Sequence, residues 1–147
     1  MTKYDNSGKY ENARQRSPYV RNILKVYRRA TTDDIANGVE WYDRAKRYAD
    51  TISKKTGVHL HTVIGVMAAL SPNNKWERNV ADCERMCMYW MHGYDLDDFK
   101  VSCYNTMKLK AWSILEDNLT NDDDILTRLN GQKIRSFYSN IRGLDEV

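Results

Sequence analysis

A short turn near the end of the chain carries residues suited to holding a phosphate. It separates two segments with helical apolar spacing and consists of Asn130, Gly131, Gln132 and Lys133. Glycine allows a tight turn and a close approach of the backbone to a partner. The N–H groups at the start of the following helix suit an anion, and Lys133 and Arg135 add positive charge there. We interpret the turn as a candidate phosphate-binding site.

A second polar break lies at residues 71–75, where a proline ends an apolar segment. Its polar side chains are those of Asn73, Asn74 and Lys75, and Arg78 follows in the next predicted helix. In one interpretation Asn74 caps that helix and Asn73 tolerates an awkward backbone angle. In the other, these asparagines enter a DNA groove and occupy the space of a displaced base. Lys75 and Arg78 would then contact phosphates, and the residues alone leave both interpretations open.

The cysteines do not form a convincing metal site. Cys83 and Cys87 are one helical turn apart, with His92 beyond them. A zinc site would need a fourth ligand and usually has closer cysteine spacing. We therefore interpret these cysteines as small core residues and predict neither a metal nor a cofactor.

The elements that must position the two polar breaks are all predicted to be helical. Apolar residues recur at helical spacing over residues 17–147, which predicts one all-α domain of about seven helices. Residues 1–16 are polar and are predicted to form a flexible basic arm. The predicted helices begin at Ser17-Pro18 and at Thr32 and continue as segments 59–70, 76–92 and 104–117, followed by a short pair around the turn at 130–133.

One predicted helix differs from the others because it is apolar nearly all round. Residues 59–70 carry hardly any polar side chain after the two histidines at their start. A helix of that kind belongs in the middle of a domain. The competing interpretation is an isolated central strand. Gly57 and Gly93 are the predicted ends of the helices on either side of this region.

Charge and targeting features limit the partners. The net charge is only +3, yet residues 1–55 carry 13 Lys and Arg against 7 Asp and Glu, whereas residues 56–147 carry 10 against 13. A basic N-terminal third is a weak indication of a polyanionic partner, and ordinary solvated helix faces are the alternative. Three cysteines, no apolar N-terminal segment and no apolar run of membrane length predict a reducing, cytoplasmic location without a membrane partner.

The order of these features resembles the helix-hairpin-helix DNA glycosylase superfamily. More narrowly, the chain is similar to a largely phage-encoded, glycosylase-like family, which would place it in the host cytoplasm. The resemblance covers about residues 18–147. Two blocks carry it, Ala-Leu-Ser-Pro-Asn-Asn-Lys-Trp-Glu-Arg-Asn at 69–79 and Leu-Asn-Gly-Gln-Lys-Ile-Arg-Ser-Phe-Tyr-Ser-Asn-Ile at 129–141.

The resemblance implies a role for each matching position. Asn73 matches an asparagine that contacts the orphaned base, and Gly131, Gln132 and Lys133 match a hairpin that grips backbone phosphates. In bifunctional members a lysine at the position of Lys133 attacks the sugar C1′ as an amine. Such an attack needs a neutral lysine, whose pKa must fall through burial or a nearby charge such as Arg135.

The chain also departs from that pattern. Its hairpin has Gly131 alone where two glycines are usual, and the four-cysteine iron–sulfur pattern of one branch is missing. The resemblance places the catalytic aspartate beyond Val147, and Asp145 is too early to replace it. A carboxylate would stabilise the cationic sugar as the base departs. We therefore expect binding to double-stranded DNA, with base excision or modification in a complete form and weak or no catalysis in this chain.

A small helical protein that binds a host or phage protein is the alternative function. One predicted helix carries apolar side chains on more than one side, namely Met86, Met88, Tyr89, Trp90 and Met91, with Tyr94 beyond it. Such a helix could present an aromatic surface to a partner. The other interpretation, which we favour, is burial on two sides within the core.

Overall fold

The computed structural model describes residues 32–70, 76–93 and 106–129, and these ranges contain helices and connecting turns without any strand. The helices are α1 (Thr32–Thr56), α2 (Leu60–Leu70), α3 (Trp76–Met91), α4 (Thr106–Glu116) and α5 (122–129). The predicted all-α class is thereby confirmed. The predicted arm, the predicted helix from Ser17-Pro18, and the turn at 130–133 with its following helix lie outside the described residues.

α1 is the longest of these helices, with 25 residues, and it is amphipathic. Its buried face includes Trp41, Tyr42, Ala45, Ala49 and Ile52. Charged side chains occupy the opposite face, as the helical spacing predicted. Across the described ranges, no helix combines the length and the apolar character that crossing a bilayer requires.

A tight connection joins α1 to α2. Gly57 has a φ of +83°, a left-handed conformation that favours glycine, and its N–H donates to the Ser53 carbonyl over 2.7 Å. The Ser53 hydroxyl donates to the Val58 carbonyl over 2.6 Å. At the start of α2, the His61 N–H donates to Nδ1 of His59 over 3.1 Å, so His59 is the N-cap. The predicted end at Gly57 is confirmed.

α2 is the centre of the fold. Every residue from Thr62 to Leu70 is buried, and α1, α3 and α4 all pack against the helix. Burial of a large apolar side chain such as Ile64 or Met67 contributes roughly 1.5–3 kcal/mol. The central-helix prediction is confirmed and the competing strand interpretation is wrong.

Candidate nucleic-acid interface

Most of the predicted site residues lie outside the described ranges. These are Asn73, Asn74, Lys75, Asn130, Gly131, Gln132, Lys133 and Arg135. Arg78 lies inside them, exposed in the first turn of α3. It follows Trp76 by two residues, or about 200° around the helix, so it projects away from the buried face. The helix that precedes each polar break is described, α2 before 71–75 and α5 before 130–133, and these helices define where each break begins.

Specific interactions hold α5 and the turn before it against α2. The Thr62 hydroxyl donates to the Leu119 carbonyl over 2.5 Å. One turn further along α2, a Cβ added at Gly65 would lie 2.9 Å from Cγ2 of Ile125. That distance is shorter than side-chain carbons tolerate, and Ile125 is fully buried. The absence of a side chain at Gly65 therefore permits the two helices to approach this closely.

These interactions also fix the relative direction of α2 and α5. Nδ1 of His61 lies 3.7 Å from Oδ1 of Asp122. Gly65 meets Ile125 one turn further along both helices, so α2 and α5 run side by side in the same direction. Five residues separate Gly65 from Leu70, about 7.5 Å, and four separate Ile125 from 129, about 6 Å. Both helices therefore end at the same end of the fold.

α3 returns the chain from that end. The Cys83 thiol donates to the Val63 carbonyl over 3.7 Å. Seven residues separate Val63 from Leu70, and seven separate Cys83 from Trp76, so α3 runs antiparallel to α2 and begins where α2 ends. The end of α2 at Leu70 and the start of α3 at Trp76 therefore lie at the same end of the fold.

Trp76 packs the start of α3 against α1. Its side chain is 6% exposed, and its ring centroid lies 5.8 Å from that of Trp41. Tyr48 stacks on it, also at 5.8 Å, and the Arg44 guanidinium lies 4.7 Å from a Trp76 ring centroid. These α1 residues follow each other at intervals of three and four, which places them on one face. Their spacing was the available sequence signal, but it did not identify Trp76 as their partner.

A family comparison classifies the chain. A family model matches residues 6–147, which include both polar breaks and every described helix. The chain belongs to DUF7178, a family of unknown function. No curated protein and no solved structure matches it significantly.

An unpredicted group of titratable residues in this DUF7178 protein lies where α2 and α5 begin. Burial raises the pKa of the Asp122 carboxyl, His61 partly offsets that rise, and Asp123 adds to it. Burial likewise raises the pKa of Tyr42, with smaller contributions from Asp122 and Asp43. His61 and Asp122 are at the opposite end of α2 and α5 from the two polar breaks. They therefore lie at the contact between α2 and α5, away from the residues that are predicted to contact DNA.

The cysteines of α3 are core residues, as predicted. Cys83 and Cys87 have no exposed surface. Burial raises the pKa of the Cys83 thiol well above its ordinary value, and a hydrogen bond with Cys87 adds to that rise. Among the described residues, no group of three or more histidine, cysteine or acidic side chains is arranged to hold a metal ion.

The aromatic end of α3 is mainly a packing surface. Met86 is fully buried, and Tyr89 and Trp90 pack against the core while partly buried. Met91 is 47% exposed, and Tyr94 lies outside the described residues. Met86, Tyr89 and Trp90 therefore share the one face of α3 that packs against the core, whereas Met88 on another face is half-buried.

Proposed function

We propose that this DUF7178 protein is a DNA-binding domain of the helix-hairpin-helix glycosylase type. Segments 71–75 and 130–135 would form one binding edge for double-stranded DNA. The observation that carries the proposal is the parallel packing of α2 and α5. It brings the last described residue before each segment to the same end of the fold, which a shared binding edge requires.

The two segments of the proposed binding edge have different roles. Asn73 and Asn74 enter the groove beside a displaced base, while Lys75 and Arg78 meet phosphates. The turn at 130–133 holds a further phosphate through backbone N–H groups and Lys133. In this proposal the fold is completed to about seven helices by one helix before α1 and one after the turn, which closes the helix-hairpin-helix.

Any base chemistry depends on Lys133 in this proposal. Its neutral amine would attack the sugar C1′ of a nucleotide turned out of the duplex, the glycosidic C–N bond would break, and the base would leave with the proton that the amine gives up. A carboxylate partner would have to stabilise the cationic sugar as the base departs. We propose DNA binding in the cytoplasm of a host cell, with base excision dependent on such a carboxylate.

Binding to a short labelled duplex, measured by fluorescence anisotropy across a salt series, tests the proposal. Affinity should fall linearly on a double-logarithmic plot, because bound phosphates release counterions. The variant Lys133→Ala should reduce the slope by about 0.9. Lys54→Ala is the matched control, since Lys54 is an exposed lysine on α1 paired with Asp50. Absence of salt-dependent binding by the wild type would refute the proposal.

Asparagine variants test the groove assignment separately. Asn73→Ala and Asn74→Ala should weaken the preference for mismatched or damaged sites and leave affinity for intact duplex largely unchanged. An equal loss on intact duplex would show that the asparagines do not occupy the position of a displaced base. The alternative function, binding of a host or phage protein, gains little from α3 because most of its aromatic side chains pack inward.

A further inference from the structure

A polar cleft lies between α4 and α5, beside the start of the proposed phosphate-binding turn. Its volume is about 330 Å³, and the residues that line it are Lys110, Leu119, Asp124, Thr127 and Arg128. Lys110 is on α4, whereas Thr127 and Arg128 are in the last turn of α5. Arg128 precedes Asn130 by two residues, so the cleft is next to the turn along the chain.

The two cations of this cleft are available to an external anion. Within the described ranges, no ion pair or hydrogen bond involves the Lys110 ammonium. Arg128 pairs with Asp117, but their side chains are 40% and 43% exposed. An exposed pair of this kind contributes little to stability, because solvent screens it. Arg128 can therefore exchange the Asp117 carboxylate for a phosphate at small cost.

Asp124, the acidic residue that lines the cleft, is already hydrogen-bonded to Asn121. Asp124 accepts a hydrogen bond from the Asn121 side-chain amide over 2.7 Å. The Asp124 N–H in turn donates to the Asn121 side-chain oxygen over 2.9 Å, which caps α5. These bonds hold the Asp124 carboxylate toward the start of α5. Lys110 on α4 and Arg128 on α5 line the same cleft from its two sides.

We propose that Lys110 and Arg128 bind a backbone phosphate of DNA, next to the phosphate assigned to the turn at 130–133. This inference rests on the proposed function and extends its binding edge from α5 onto α4. A phosphodiester between two cations forms charge-assisted hydrogen bonds, and an arginine fork can donate two of them. The contact carries no base specificity and sets the register of the protein on the duplex.

The test compares charge-removing variants in the duplex-binding assay. Lys110→Gln and Arg128→Gln should each lower the salt slope by about 0.9. Asp117→Asn should tighten binding by up to about five-fold, since Arg128 loses its competing partner, and about 1 kcal/mol is the upper value for an exposed pair. The matched pair is Lys54→Gln and Asp50→Asn on α1, for which neither slope nor affinity should change. Thermal melting checks that each variant is folded.

The outcomes separate this inference from the proposed function. If the wild type binds duplex with a salt slope that Lys110→Gln and Arg128→Gln leave unchanged, the cleft assignment is overturned and DNA binding stands. An equal loss of slope in Lys54→Gln also overturns it, because the effect would then be general charge. If the wild type binds no duplex, the proposed function fails and titration with inorganic phosphate decides the cleft. Saturable chemical-shift changes in the last turn of α5 that Arg128→Gln abolishes would support a site for free phosphate, and their absence would overturn it.

Discussion

The substitution Gly65→Ala tests the packing of α2 against α5, on which the proposed binding edge depends. In the interior of α2, replacing glycine with alanine should by itself stabilise the helix by about 1 kcal/mol. At this position, however, the new Cβ would lie 2.9 Å from Cγ2 of Ile125. Ile125 is β-branched and fully buried, so its side chain has little freedom to move away. Overpacking of this kind costs about 1–3 kcal/mol.

The two effects predict a change of sign between backgrounds. With Ile125 present, Gly65→Ala should lower the free energy of unfolding by about 1 kcal/mol, the difference between a cost of about 2 and a gain of about 1. In the Ile125→Ala background the obstruction is gone, so the same substitution should raise the free energy of unfolding by about 1 kcal/mol. Ile125→Ala alone should cost about 2–5 kcal/mol, because it leaves a cavity.

Urea denaturation followed by tryptophan fluorescence measures all four members of this cycle. Ala81→Gly, at an exposed position of α3, gives the helix-propensity difference where no neighbour interferes and should cost about 1 kcal/mol. Stabilisation by Gly65→Ala in both backgrounds would refute the close approach of α2 and α5. Gly65→Ala should also weaken duplex binding, because displacement of α5 would displace the turn at 130–133 that follows it.

Three further predictions concern the helices that position the proposed binding edge. The Cys103→Ser variant leaves Cys83 and Cys87 as the two cysteines of the chain. Both should resist a thiol reagent until the protein unfolds, because both are buried and burial raises the pKa of Cys83. Rapid reaction of the native protein would contradict this. Burial also raises the folded-state pKa of Asp122 above its ordinary 3.8, so its stabilising contribution is full below that pH and is lost as pH rises through the folded pKa. Asp122→Asn should therefore gain stability relative to the wild type as the pH rises above 3.8, and a constant difference would count against the assignment. His59→Ala should cost about 1 kcal/mol by removing the N-cap acceptor of α2, and His59→Asn should restore it in thermal melts.

The helices were predictable because their signals are local. The apolar run over 59–70 identified α2 as the buried centre. The helical apolar spacing before the turn at 130–133 predicted α5, in which Ile125 and Leu129 are buried. The glycine at 57 likewise indicated the end of α1 through its left-handed backbone. Each signal lies within the segment whose structure it determines.

The pairing of those helices was not predictable, because the residues that decide it are far apart in sequence. Gly65 and Ile125 are sixty positions apart, and a glycine within an apolar helix gives no indication of which side chain it admits. The same holds for His61 and Asp122, whose proximity is a product of the fold. The candidate site was predicted as two separate polar breaks, and only the packing of α2 and α5 relates one to the other.

The lengths of α2 and α4 explain why both breaks leave from one end. α2 and α4 each contain 11 residues, or about 16 Å of helix. α4 packs against α2, and a short turn connects it to α5. Because α5 runs parallel to α2 and follows α4 through that turn, α4 must carry the chain back toward the start of α2. The hydrogen bond from Thr62 to the Leu119 carbonyl fixes the point of reversal. An extra helical turn in α4 would move that point past Thr62 and shift α5 along α2, so the relative position of the two breaks is set by helix length as much as by the side chains that the breaks carry.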